Sequence, residues 1–583
     1  MDKRWIRPLA PPPDVFESLA RYPSAGAQIL FQRGVRTGEE AERFLSSGEP
    51  EYGDPFLLSG MAAAVDRIRA AIRDQEPIVV YGDYDADGVT ATALLVGVLE
   101  GLGARVRPYI PNRFDEGYGL HAEALSALQA QGARLVVSVD CGIRSWREAE
   151  HASGLGLDLI ITDHHQPGPT RPRALAVLNP RLEGDKYPFK DLAGVGLAHK
   201  LAQGLLSACS RPGSEEWLDL VAVGTVADLA PLQGENRTMV RTGLRLMNAP
   251  ASSSGGDLRP GLRALAEGAG IAAGRIGAVS IAFALGPRLN AAGRLDSAET
   301  SYRLLVSRDP EEARAIAAQL SAANRQRQAM TGEMVERARA LGVAPGRLPE
   351  LISAIDPGFS AGIVGLAAAR LMEEYYRPAI VVTVADETAR GSARSIPEFS
   401  IIDALDACAD LLLEFGGHAA AAGFTVRTQD LEPLLRRLSQ HASAALSGKE
   451  LKPRLAIDAL VEFREVGRPL LEFVEALEPC GYGNPTPVLA AEDVTVVQAR
   501  PVGAEGQHLR LLLRQGSVTR EAIAFRKGKI AGALARRVDV AFNLERNIYM
   551  GVESLQLNVQ DIRPAGQGEW ARGEEAVGQS ASR

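Results

Sequence analysis

A chain of 583 residues is too long for one hydrophobic core and should form about three or four domains. Its 46% hydrophobic and 23% charged content is that of an ordinary globular protein, and a net charge of −8 excludes a uniformly positive surface while leaving room for a local basic groove. The four cysteines form no CxxC pair, which argues against a zinc site or disulfide framework; with no apolar leader and no membrane-length apolar run, a cytoplasmic protein without membrane contact is expected.

Residues 1–55 read as a short helical lead-in. From Pro77 strands and helices alternate. PIVVY (77–81), RVRPYI (105–110), RLVVSVD (134–140), LDLIITD (157–163) and ALAVL (174–178) are strand candidates. Helical stretches such as HAEALSALQAQ (121–131) separate several of them, which predicts a parallel sheet covered by helices on both faces. Residues 194–232 read as helical. A long connector helix is expected over roughly 311–342, with Pro310 where a first turn accepts it. A second α/β pattern begins at LISAI (351–355) and runs to about 448. Short alternating runs in 455–563, among them LRLLL, EAIAF and VDVAFNL, predict a small β-barrel. The polar tail should be disordered. The division is 1–55, 56–300, a connector at 301–345, 346–450, 455–565 and a tail at 566–583.

The strongest local signal is Asp83, Asp85 and Asp87 at alternate positions, past a strand and before a helix. Ligands of open α/β sheets gather at such strand ends. Asp140 ends the next strand but one, and Asp163-His164-His165 ends the strand after that. Asp228 lies in the apolar stretch VGTVADLAPL. At 4 Å and an effective dielectric near 20, each like-charged pair costs about 4 kcal/mol. A divalent ion removes that cost, and mixed carboxylate and imidazole ligands suit Mn²⁺. Two ions sharing one carboxylate could activate a water for in-line attack on phosphorus. A calcium loop of the EF-hand type needs Glu at position twelve, which here is Leu94. Taken singly, Asp140 or Asp228 reads equally as a helix cap, and the His-His pair as a turn.

GDYDADGVTA (82–91), SVDCG (138–142), TDHH (162–165) and GTVAD (224–228) resemble, in order, the motifs of the DHH phosphoesterases. YGDYDADGVTATALL, LDLVAVGTVADLAPL, GPRLNAAGRLDSA (286–298), FGGHAAAAGF (415–424) and LEPCGYGNPTPVL (477–489) are similar to the RecJ branch of that superfamily. The resemblance implies a parallel-sheet DHH domain, a connector helix, an α/β DHHA1 domain and a C-terminal OB-fold. It implies Asp83 and Asp85 on one Mn²⁺ (Mg²⁺ as a substitute), Asp87, His164 and Asp228 on a second, and Asp140 bridging. His165 would face the scissile phosphate, and Asp163 would orient a neighbour. Many DHH relatives carry His where this chain has Tyr81, which leaves the first metal's ligands open.

Arg288, Asn290 and Arg294 of GPRLNAAGR, and Arg113 of PNRFDEGYGL, are candidate phosphate contacts, since guanidinium forks suit phosphate oxygens; ordinary surface arginines are the alternative. By the same resemblance GSARSI (391–396) and FGGHAAAAGF are phosphate-handling loops, with Ser392, Arg394, Gly416, Gly417 and His418 against the strand. Phe359-Ser360 stands where relatives usually have Trp-His. Residues 500–537 carry nine basic side chains, Arg510 and Arg526 among them, with Phe525 the clearest base-stacking candidate. The family's activity is 5′→3′ degradation of single-stranded DNA to 5′-mononucleotides in repair and recombination, with a single-strand-binding protein and a helicase as partners. The alternative is a phosphoesterase of short oligonucleotides or cyclic dinucleotides. ATP is not expected, because GVGLAHK (194–200) has the wrong spacing for a phosphate loop.

Overall fold

Five short runs rich in Val, Ile and Leu form the first sheet: β1 (Ile78–Tyr81), β2 (Val106–Tyr109), β3 (Leu135–Val139), β4 (Asp158–Thr162) and β5 (Ala176–Leu178). All pairs are parallel, in the order β2-β1-β3-β4-β5. Strand alternation divides the side chains between two cores. Ile78, Val80, Leu135, Val137 and Ile160 face one, and Val79, Tyr81, Val136 and Ile161 the other. Both faces are covered, as the sequence pattern predicts. On the first face lie α1 (Ala86–Gly101), α2 (Gly194–Ala208) and α3 (Leu218–Ala227), with α1 packed against the other two. The stretch 194–232, read as helical, holds two helices, α2 and α3, separated by residues 209–217.

The computed structural model describes residues 3–45, 52–113, 115–250, 258–344, 346, 348–549, 552–567 and 570–571. It has two units, residues 50–449 with 481–483, and residues 1–49 with 450–480 and 484–583. In the first, α4 (Gly286–Leu295) leads toward the connector α5 (Pro310–Gly342), whose Asp309 cap accepts the Glu311 N–H and whose first residue is proline. Its 33 residues span about 50 Å and pack on both α4 and the second sheet. That sheet contains β6 (Ile352–Ile355), β7 (Ala379–Val384), β8 (Thr388–Arg394), β9 (Leu412–His418) and β10 (Ala421–Arg427), ordered β9-β10-β8-β7-β6. Only β6–β7 is parallel. The helix α6 (Val364–Tyr375) packs on β7 and β8.

In the second unit, β11 (Leu489–Val502), β12 (His508–Gln515), β13 (Val518–Ala524), β14 (Arg537–Tyr549) and β15 (Val552–Pro564) form a closed barrel. Pairing of β13 with β15 is parallel, and β14 closes on β11. Leu509, Leu511 and Leu513 point inward from β12 while Arg510 and Arg514 point out. The lead-in is not a separate element. Arg4–Ile6 pairs in parallel with Arg454–Ala456, and Val15, Leu19, Ile29 and Leu30 share the barrel's core. Two residues assigned to the disordered tail are ordered: Ala571 bridges Ile6, and the Trp570 ring meets that of Trp5 at 5.7 Å. Residues 572–583 lie outside the described residues.

Candidate metal centre

The three strand ends deliver their acids by distinct local rules. Asp85 is the N-cap of α1, its carboxylate accepting the N–H groups of Asp87 (2.9 Å) and Gly88 (3.1 Å). Asp87 reaches the amino end of α2, where Oδ2 accepts the Gly194 N–H (2.7 Å) and Oδ1 that of Val195 (2.8 Å). Asp140 follows β3 in left-handed backbone, φ 62°, at a cost of about 1 kcal/mol or more for a non-glycine. Its N–H donates to the Thr162 carbonyl (3.0 Å), and the Tyr118 hydroxyl donates to its carbonyl (3.2 Å). Residue 194 must be glycine-sized, because a Cβ there would lie 2.5 Å from Asp140 Oδ1. Asp228 ends α3.

Asp83, Asp85 and Asp140 form one group and Asp87, His164 and Asp228 another, with the ligand atoms of each within 4.8 Å of one another. A third grouping joins Asp140, His164 and His165. Burial first, and neighbouring acids second, push Asp83, Asp140 and Asp228 well above the ordinary carboxylate range and Asp87 up to about 7. Burial and then the charge of His165 drive His164 down to about 3, so its imidazole is neutral. Among the described residues Nε2 of His164 has no hydrogen-bond partner; it lies 3.2 Å from Asp140 Oδ1 and 3.6 Å from Asp228 Oδ2. With both acids ionised, these contacts set lone pair against lone pair, so without a cation the cluster favours protonated acids. Asp83 Oδ1 and Asp140 Oδ1 are likewise buried without partners among the described residues. Carboxylate oxygens with one imidazole nitrogen fit Mn²⁺ or Mg²⁺, and cations held by the two groups would answer all three orphaned atoms. Cys141 is no ligand: burial pushes its thiol up, and Sγ faces the Tyr81 carbonyl at 4.0 Å.

His165 is held differently. Its Nδ1 lies 2.7 Å from Asp163 Oδ1 and 3.1 Å from the Tyr118 hydroxyl, and its backbone N–H also donates to Asp163 (3.0 Å). Asp163 Oδ2 accepts the Ile143 N–H at 2.8 Å. Burial opposes charge on His165, but the Asp163 hydrogen bond and charge outweigh it and raise the imidazole. Burial pushes Asp163 up, yet the same hydrogen bond leaves its carboxyl below the usual range. Tyr81 points away: its hydroxyl donates to the Gly119 carbonyl (3.2 Å), and its ring packs against Tyr109.

The candidate phosphate contacts divide. Arg113 stacks over Tyr84 at 4.8 Å, and its charge reaches both Asp83 and Arg294. Arg294 donates to the Gly362 carbonyl (3.1 Å) and is lowered to about 10 by burial, then by Arg113 and Arg327. Arg394 donates to Ser392 Oγ (3.1 Å), and Gly365 keeps α6 clear of both. Arg288 is tied to the Ala284 carbonyl and Ser321, and Asn290 accepts the Ala86 N–H at 2.7 Å, bracing α1. The expected glycine-rich loops are strands instead. Ser392 and Arg394 lie in β8, and Gly416, Gly417 and His418 in β9, paired with Gly423, Ala422 and Ala421. The pattern failed because small residues permit close strand approach as readily as turns; a Cβ on Gly417 would meet the Ala421 carbonyl at 2.3 Å. His418 Nδ1 accepts the Ala420 N–H of that hairpin. Phe359 is buried against the core of the second sheet. On the barrel, Phe525 and Arg526 are exposed, but Arg510 pairs with Glu521 at 2.8 Å.

Sequence reasoning missed Tyr118, five residues after Arg113 in a segment weighed only for its arginine. It also missed the Gly194 and Val195 N–H groups, since GVGLAHK was tested only as a phosphate loop.

The fold and this centre define the chain as a member of the DHH class. Residues 77–225 match the DHH family N-terminal domain, 349–444 the DHHA1 domain and 457–561 the RecJ OB domain. The single-stranded-DNA-specific exonucleases RecJ of Dickeya dadantii and Escherichia coli are 36% and 35% identical, over 95% and 94% of this chain and 97% and 96% of theirs. The crystal structure of Thermus thermophilus RecJ with Mn²⁺ superposes with a TM-score of 0.82 at 32% identity, covering 97% of this chain and 80% of that one. The chain belongs to the RecJ family.

Proposed function

We propose that the protein is a divalent-metal-dependent exonuclease that shortens single-stranded DNA from its 5′ end, releasing 5′-mononucleotides, in DNA repair and recombination. The observation that carries this reading is the set of buried acceptors left without a hydrogen-bond partner among the described residues: Asp83 Oδ1, Asp140 Oδ1 and His164 Nε2. Asp83, Asp85 and Asp140 would hold one ion, and Asp87, His164 and Asp228 a second, with Asp140 bridging; Mn²⁺ is the preferred ion and Mg²⁺ its substitute. When bound, the ions supply an activated water and neutralise charge at phosphorus. His165, held by Asp163 and raised toward its charged form, stabilises the negative charge that develops on the phosphoryl oxygens.

The substrate class follows from cations that lack anions. Among the described residues, no carboxylate lies at ion-pair distance from Arg113, Arg288, Arg294, Arg327 or Arg394, and burial lowers Arg288, Arg294, Arg327 and Arg394. Unpaired, partly buried guanidinium groups call for an anionic ligand, and a phosphodiester backbone supplies one phosphate per nucleotide. On the barrel, Arg500 and Arg514 are exposed with no carboxylate at ion-pair distance among the described residues, and a backbone phosphate would answer each. A single-strand-binding protein and a helicase are the proposed partners. Digestion of single strands labelled at either end, with Mn²⁺ or EDTA, tests the reading. The 5′ label should appear first as a mononucleotide, and only with metal. Release of the 3′ label first would overturn the polarity. Faster turnover of a dinucleotide than of a long strand would overturn the substrate class.

A further inference from the structure

A surface cavity of about 290 Å³ lies behind the DHH loop, lined by Arg144, Trp146, Pro167, Gly168, Pro169 and Thr170. It is joined to the metal centre by the backbone. Ile143 donates to Asp163, the partner of His165, and Arg144 Nε donates to the carbonyl of Gln166, the residue after His165 (3.0 Å). The Arg147 guanidinium lies over the Trp146 indole at 5.0 Å, and the ring also lines the cavity, 36% exposed. The charge of the segment that walls the cavity is one-sided: residues 164–180 contain Arg171 and Arg173 and no acid, in a chain whose net charge is −8, while Arg181 beyond them is paired with Asp191. Arg144, Arg171 and Arg173 are exposed, and among the described residues no carboxylate pairs with them. The helix Trp146–Gly154 brings the acids of this neighbourhood, Glu148 and Glu150. An indole beside arginines, with proline walls that leave few backbone donors, fits a flat aromatic base carrying a phosphate.

We propose that this cavity is a nucleotide subsite, in which Trp146 stacks on a nucleobase and Arg144 holds its phosphate. The proposal rests on the nuclease reading, because continuity with the DHH loop is what brings a nucleotide there. Its occupant is one nucleotide, either of the strand near the cut or newly released. A subsite of this kind sets how firmly the enzyme grips the nucleotide next to the reaction, independently of the metal ligands.

Equilibrium dialysis of the full-length chain in EDTA, with dAMP and with deoxyribose 5-phosphate, tests this without requiring cleavage. The parent should bind dAMP more tightly than the sugar phosphate. Trp146→Ala should weaken dAMP about five- to a hundredfold, the range for loss of one base stack, and leave deoxyribose 5-phosphate unchanged. Trp146→Phe should keep most of the dAMP binding, and Arg144→Ala should weaken both ligands. Equal binding of dAMP by the parent and Trp146→Ala, at unchanged melting temperature, overturns the subsite; so does equal binding of the two ligands by the parent. A raised KM for single strands with kcat unchanged in Trp146→Ala assigns the site to the strand, and relief of dAMP inhibition alone assigns it to the product. Failure of the nuclease reading is seen separately, as absence of metal-dependent release from end-labelled strands.

Discussion

The acidic centre of the first sheet and the basic outer face of the barrel are both charged, but their charges are settled differently. In the centre, buried carboxylates and a neutral imidazole face each other with acceptors left over. On the barrel, Arg510 pairs with Glu521, Lys527 with Asp561, and Arg537 with Asp493, while Arg520 is tied to the Val466 carbonyl. The centre is organised around charge the protein leaves unanswered, and the barrel face is largely neutralised by the protein itself. The centre should therefore fail abruptly when one group is removed, and the barrel gradually.

The largest effect should come from Asp140→Ala, which removes the carboxylate proposed to serve both ions. Cleavage should fall by more than about a thousandfold, the upper scale for loss of one electrostatic group, with single-strand binding retained. Measured turnover within tenfold of the parent would show that Asp140 is not shared. Next comes His165→Asn, for which kcat should fall about a hundredfold with metal binding by calorimetry unchanged. Loss of stoichiometric Mn²⁺ in that variant would instead place His165 among the ligands, as the Asp140–His164–His165 grouping allows.

Legibility in the sequence follows the same contrast. The parallel sheet was readable because strands buried on both faces are short runs of Val, Ile and Leu, and because acids placed at their ends interrupt those runs. The five strands and the connector stand where periodicity and Pro310 put them. What could not be read depends on contacts distant in sequence. Nothing in residues 1–45 announces that their apolar faces pack against strands beyond 489. Glycine-rich FGGHAAAAGF looks like a loop until its register with β8 is known. Asn290 resembles a ligand-binding side chain until Ala86, 204 residues earlier, arrives to use it. The roles of Gly194 and Tyr118 are equally distant from any local pattern.

An intermediate effect concerns the metal-free protein. Asp83, Asp87, Asp140 and Asp228 hold protons to higher pH when folded than the ordinary value of about 4 for an unfolded carboxyl. The folded state then binds more protons than the unfolded state, so stability falls as pH rises from about 4 through the folded values. In EDTA the melting temperature should drop by several degrees between pH 5 and pH 8, and Mn²⁺ should abolish that drop by binding the ionised forms. A metal-free melting temperature that is flat or rising over this range would mean the acids are relieved by something other than protons.

The smallest effect belongs to the barrel. Arg500 and Arg514 project outward from neighbouring strands, and among the described residues no carboxylate pairs with either. If each meets one backbone phosphate, Arg500→Ala or Arg514→Ala should reduce the slope of log affinity against log salt by about 0.7, with a loss of about two- to threefold near physiological salt. Arg510→Ala should do less, because Glu521 already answers its charge and would be left unpaired. Truncation is a poorer experiment than these substitutions. Removing only residues after 455 would expose the apolar faces of Val15, Leu19, Ile29 and Leu30, so a loss of activity would report exposed core rather than lost DNA contacts. If Arg510→Ala changes the salt slope more than Arg500→Ala, the ion pair with Glu521 opens on binding, and the barrel's face is less settled than its contacts indicate.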